Sequence, residues 1–366
     1  MAKRKVTEPA PRHNNKRLRV FTTRRQAFTW KPMDWKLKRT ITDRVSIMVN
    51  RTDRKQLIVT KVLGINHLSS DDLRPSEIQA LSLLPDCNRI VKHIFYSSSD
   101  PDIEHGTALF EHYPLGDLAQ WKAREFDSKN HKPVLESFIW RFFVQMSQAL
   151  AFIHNHIGPD REQRNCILNR DIKPKNILVV DNGNTYPSFK LHDFDCALVY
   201  RKSRAHRPSL CGTFQWQPPE NPIINTTAAE VWALGACVHF LAVGKAPIQD
   251  MNHYAVARFN EKKAHPHSAD EYTSPDCYYG ARIPRRVTPI NLSEEQQQQQ
   301  GVGPLNYQYS DELNQWMMQC LNWNPDRRPA TDQLVYGIRP VSEAILRRMG
   351  GAAALANLEV KFGADA

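Results

Sequence analysis

The chain has 366 residues, 41% of them hydrophobic, with eight tryptophans, which suits two lobes or two modest domains better than one small core. Its formal charge of +11 favours acidic partners such as nucleotide phosphates or acidic proteins; a basic surface is ordinarily just a solvated one, so specific nucleic-acid binding is not expected. The seven cysteines are scattered, odd in number and without a C-x-x-C pair, which argues against a disulfide framework or zinc site and for reduced thiols inside a cell.

In chain order, residues 1–30 read as a disordered basic arm. Lys3-Arg4-Lys5 and Lys16-Arg17-Leu18-Arg19 form two basic clusters. They are either a nuclear-import address read by an import receptor or a solubilising tail. No apolar core follows them, so this is not a secretory signal. Strands are predicted at Val45–Val49 and Leu57–Leu63, with Lys61 inside the second. A lysine in an apolar strand needs a partner. Ser76–Leu84 has helical spacing and can aim Glu77 at that lysine. Between the first strands, Lys38–Val45 reads K-R-T-I-T-D-R-V and holds no glycine. Thr107–Leu118 is a strand running into a turn. Leu135–His156 is a long amphipathic helix whose apolar stripe is core, and Gly158–Asn165 is a polar surface insertion.

Ile167–Val180 reads I-L-N-R-D-I-K-P-K-N-I-L-V-V. An apolar pair enters, Pro174 keeps the polar loop from closing into a helix, and a β-branched run leaves. The Asn182-Gly183 pair suits a hairpin turn, and the returning strand Phe189–Leu191 delivers Asp193 and Phe194. Two metal-binding oxygens, one carboxylate base and one lysine thus converge at a hairpin mouth. Val231–Gly244 is the longest apolar run, short of membrane-spanning length and best read as a buried helix. Residues 250–309 form a polar insertion ending in the run Gln296–Gln300, a disordered spacer by composition. Closing helices are expected at Asp311–Leu321 and Asp332–Arg348, then a flexible tail over 349–366.

The Asp171-x-Lys173-x-x-Asn176 spacing followed by Asp193-Phe194 resembles the catalytic loop and metal-binding segment of protein kinases. The resemblance runs from about Trp35 to Arg348. It implies an α+β two-lobed fold, with a small β-rich lobe carrying one main helix (31–113) and a larger helical lobe (114–348). It further implies ATP and Mg2+ as cofactors and a protein substrate. Asp171 would be the base and Lys173 would steady the transferred phosphate. Asn176 and Asp193 would hold magnesium, and Lys61 with Glu77 would position the phosphates. By the same match Phe110 is the gatekeeper, Glu111 to Tyr113 meet the adenine, and Asp117 touches the ribose or a basic substrate residue. Ser209-Leu-Cys-Gly-Thr213 resembles a regulatory segment in which a phosphate on Ser209 would pair with Arg170, and Thr213 would bond Asp171 and Lys173. Glu220 should pair with Arg328. Lysine two places after the base resembles serine/threonine kinases, and Lys175 would repel a second upstream arginine in a substrate.

Four features depart from that pattern: the glycine-free loop, Asn169 for histidine, Asp195 for glycine after Phe194, and Glu230 for aspartate. An intracellular kinase, nuclear or cytoplasmic, is therefore one reading. A pseudokinase working as scaffold or allosteric partner is the other.

Overall fold

Five antiparallel strands, β1 (Trp35–Thr40), β2 (Val45–Asn50), β3 (Leu57–Gly64), β4 (His93–Ser98) and β5 (His105–Glu111), form one sheet in the order β1-β2-β3-β5-β4. The computed structural model describes residues 28–65, 72–130, 132–204, 211–221, 223–262, 274–301 and 307–366. The two N-terminal basic clusters and Ser209 lie outside the described residues. Lys61 pairs with Val45 on one side and Ala108 on the other, so it sits mid-sheet rather than on an edge. Helix α1 (Ser76–Ser82) packs beside the sheet with Glu77, Ile78 and Leu81 buried. It stops short of Leu84 because Pro85 follows, and a proline ring disfavours helical geometry in the residue before it. Phe28 and Trp30 lie tilted against Trp35, with ring centroids 6.4 and 6.1 Å from it, so the arm expected through residue 30 ends earlier; packing three aromatic rings together holds its last residues.

The larger lobe contains α2 (Leu118–Lys122), α3 (Glu136–Ile153), α4 (Thr227–Val243), α5 (Met251–Lys262), α6 (Pro275–Arg282), α7 (Glu294–Gln299), α8 (Asp311–Cys320) and α9 (Thr331–Leu355). Two small hairpin-like pairs lie at the lobe junction: β6 (Ile167–Leu168) with β9 (Leu198–Val199), and β7 (Ile177–Val180) with β8 (Ser188–Leu191). Helices α3 and α4 are buried almost all round. Thr226 caps the start of α4, and Gly244, at φ 89°, takes the left-handed turn that ends it. One apolar core runs from Leu63, Ile78 and Ala108 of the small lobe through Phe194 into α3 and α4. The result is a two-lobed α+β architecture with a cleft between the lobes. Among the described residues, no helix is long and apolar enough to cross a membrane.

Three local expectations are corrected. The β7–β8 connection is a seven-residue loop rather than a tight Asn-Gly turn, since Val180 pairs with Ser188; Tyr186 from that loop is buried against Phe138 at 4.8 Å, which draws the chain inward. The glutamine run forms α7, started by a capping box at Ser293 and anchored by buried Gln297, whose amide donates to the Leu292 carbonyl. Residues after Leu355 are docked, not loose. Buried Arg89 donates through Nη2 to the carbonyls of Asn357, Leu358 and Glu359 at 2.9–3.0 Å, and Phe362 lies on Phe152 at 5.3 Å. Within the polar insertion, Arg285 is likewise tied down, donating to the carbonyls of Gln217 and Phe214, both at 2.8 Å.

Candidate active site

β6 and β7 hold the two ends of the loop from Asn169 to Asn176, and Pro174 opens the single turn Pro174–Asn176 that closes it. Arg170 and Asp193 both take left-handed backbone conformations, φ 67° and 61°, a strain that only surrounding bonds can hold. Those bonds are present. The Arg170 amide donates to Glu230 Oε1 at 2.6 Å, while Glu230 Oε2 pairs with His154 Nε2 at 2.7 Å. Asn169 donates through Nδ2 to the Asp193 carbonyl at 2.8 Å and accepts from the Asp171 amide through Oδ1 at 3.1 Å. His154 was not singled out in the sequence, where it is one histidine on an apolar helix. Only the fold sets it against Glu230.

Asp171 lies at the centre of the floor. Its Oδ2 accepts from Lys173 Nζ at 2.6 Å and from Asn176 Nδ2 at 3.0 Å, and its Oδ1 accepts from the Thr213 amide at 2.8 Å. Lys173 Nζ also donates to Thr213 Oγ1 at 2.7 Å. Arg170 Nε donates to the Cys196 carbonyl. Glu220 and Arg328 form a two-pronged pair at 2.7 and 2.9 Å, with the arginine side chain fully buried, and so brace the segment after Thr213 against the large lobe.

Lys61 descends from β3 into a ring of carboxylates. Its Nζ donates to Glu77 Oε2 at 2.9 Å and Asp193 Oδ1 at 2.8 Å, and Asp195 Oδ2 lies at 2.9 Å. Burial pulls the ammonium's pKa down, but the three carboxylates outweigh it and hold it above its ordinary value. Burial pushes the Glu77 carboxyl up to about 7 despite Lys61. For Asp193, burial opposes ionisation but Lys61 prevails and keeps the group below its ordinary value. Phe194 is fully buried and its amide donates to Glu77 Oε1 at 3.1 Å, which locks α1 to the Asp193–Phe194 segment.

The cleft between roof and floor is about 450 Å³ and is lined by Val59, Lys61, Phe110, Leu178 and Asp193 among others. Glu111 and Tyr113 also line it, and Tyr113 Oη donates to Glu111 Oε2 at 2.8 Å. Asp117 is part of the lining as well but spends one oxygen capping α2 through the Gln120 amide at 2.9 Å. Arg39, Arg124 and Lys175 add positive charge around it; Arg124 went unnoticed because a surface arginine on a short helix carries no local signal. The β1–β2 turn is self-contained. The amides of Ile41 and Thr42 donate to the Val45 carbonyl, and those of Arg44 and Val45 donate to Thr42 Oγ1. Four backbone donors of the kind that a glycine-rich loop would offer to phosphate are thus used within the turn.

The donor set fits a magnesium ion. Glu77, Asp193 and Asp195 offer oxygens within 4.8 Å of one another. Asn176 turns its amide nitrogen toward Asp171, which leaves its amide oxygen for a cation; hard oxygen ligands are what magnesium takes.

Comparison with known proteins follows the same line. The family model for the protein kinase domain matches residues 44–336. Curated relatives include the serine/threonine-protein kinase ppk27 of Schizosaccharomyces pombe, 25% identical over 235 residues, covering 57% of this chain and 52% of that protein. The G2-specific protein kinase nim-1 of Neurospora crassa is 25% identical over 227 residues, covering 57% of this chain and 21% of that protein. An Aurora kinase of S. pombe is 32% identical over 114 residues, 31% of this chain and 28% of its own length. The chain thus spans between about a fifth and a half of the length of these relatives.

Proposed function

This chain belongs to the protein kinase family, and from that premise we propose that it is a serine/threonine kinase moving the terminal phosphate of ATP to a protein hydroxyl. The observation that carries the reading is the convergence of Lys61, Glu77 and Asp193 on one point, tied through Asn169 to the loop of Asp171 and Asn176, from four separate parts of the chain. Asp171 is held ready to orient the hydroxyl and accept its proton. Lys173 bridges Asp171 and Thr213, so the base and its neighbouring cation move as one unit. Asn176, Asp193 and Asp195 would hold magnesium, which supplies charge neutralisation of the phosphates when bound. Placement and electrostatics are what phosphoryl transfer requires of a protein.

A scaffold without catalysis is the second reading, and two observations favour it: the closed β1–β2 turn and the third carboxylate on Lys61. Transfer of labelled phosphate to a generic protein substrate decides between them. The kinase reading expects transfer onto serine or threonine that falls by about 10²–10⁴-fold in Asp171→Asn. Equal signals from both proteins, or none from either, remove it.

A further inference from the structure

Lys61 is overcommitted. An ammonium has three protons. Two go to Glu77 and Asp193 in hydrogen bonds, and Asp195 is already beside it at 2.9 Å. One positive charge therefore faces three carboxyl groups, before any phosphate arrives. The three differ in freedom. Glu77 has 2% of its side chain exposed, Asp193 29% and Asp195 51%. Glu77 is also bound to the Phe194 amide and Asp193 is gripped at its carbonyl by Asn169. Asp195 alone can swing to water without uncovering a buried group.

The geometry points to Asp195 as a latch on the nucleotide site: in the absence of a divalent cation it holds Lys61 away from phosphate, and it releases Lys61 when a cation takes its charge. This deepens the nucleotide-binding reading above and rests on it. A polyanion entering the cation-free cleft must compete with Asp195 for Lys61 and tolerate its charge nearby, and the turn above spends the amides of Ile41, Thr42, Arg44 and Val45 on its own acceptors. Once Asp193 and Asp195 share a cation, the same carboxylate changes from competitor to ligand. Nucleotide affinity should therefore depend on divalent cation more steeply here than in a chain lacking the third carboxylate.

The test is calorimetric binding of ADP to the full chain, in chelator and across a magnesium series, for the natural protein, Asp195→Asn and Asp195→Gly. In chelator both variants are expected to bind ADP about tenfold more tightly, the worth of one hydrogen bond to a charged group. Added magnesium should close or reverse that gap. In a Lys61→Met background, Asp195→Asn should tighten ADP binding in chelator by clearly less than in the natural protein, because only charge repulsion is left to relieve. Equal affinities in chelator, or a gap that ignores magnesium, overturn the latch while leaving the nucleotide site standing. Absence of ADP binding to all three proteins at every magnesium level overturns the site and the latch together. Thermal melting of the two variants checks that both remain folded, as substitution of a half-exposed side chain should allow.

Discussion

At the floor of the cleft, Asn169 and Glu230 stand where their family carries histidine and aspartate, yet each makes two bonds that hold the loop: Asn169 to Asp193 and Asp171, Glu230 to Arg170 and His154. At the roof, the β1–β2 turn holds no glycine, and the amides of Ile41, Thr42, Arg44 and Val45 donate to the Val45 carbonyl and to Thr42 within the turn. A task done by a side chain can be passed to another side chain that places the same donor or acceptor. A task done by bare backbone cannot, because it requires close approach without a Cβ in the way. The floor therefore makes its bonds with different side chains, and the roof turns its bonding inward.

Four measurements break or sharpen that contrast. The largest effect is expected at the brace under the floor. Arg328→Met leaves the Glu220 carboxylate half-buried without its partner and should cost about 3–5 kcal/mol in urea unfolding; a loss under about 1 kcal/mol would mean the floor is not braced there. Next is a pH effect centred on His239, in α4. Its Nδ1 donates to the Lys245 carbonyl and its Nε2 accepts from the Thr288 amide, so the ring must be neutral, and burial pushes its pKa down to about 4. Between pH 6.5 and 4 the unfolded chain binds a proton that the folded chain refuses. Stability should thus be whole above pH 6.5 and decline by up to about 3 kcal/mol by pH 4, and His239→Gln should flatten that stretch of the profile.

Third, Glu230→Asp restores the residue type common in the family but shortens the reach by one methylene. It should cost about 1–3 kcal/mol by stranding the Arg170 amide or His154, and no loss would show that the floor tolerates either acid. The smallest effect belongs to the roof. Thr42→Ala removes a partly redundant acceptor from an exposed turn and should change stability by about 1 kcal/mol or less, with little change in ADP binding. A large loss of binding would show that the turn reaches the phosphates after all.

Much of the floor was legible in advance because its spacing is short: Asp171, Lys173 and Asn176 lie within six residues, and Asp193-Phe194 follows one hairpin later. The strands and main helices followed from periodicity in the same way, since α3 and α4 are apolar along their length. Errors fell where the pattern was weak. Glutamines read as spacer, but Ser293 before them supplied a capping box. A tail rich in small residues read as frayed, but its carbonyls meet a buried arginine 268–270 residues earlier.

Local order decided which side chains this chain brings to its cleft and at what spacing along each strand or loop, because backbone periodicity and proline placement act over a few residues. Packing between distant segments decided what those side chains do to one another. The bond from His154 to Glu230, the closeness of Asp195 to Lys61 and the clasp of Arg89 on the last residues each join positions 76, 134 and about 270 apart. Such contacts arise only when the shared core packs distant segments together, and no pattern along the chain encodes their distance.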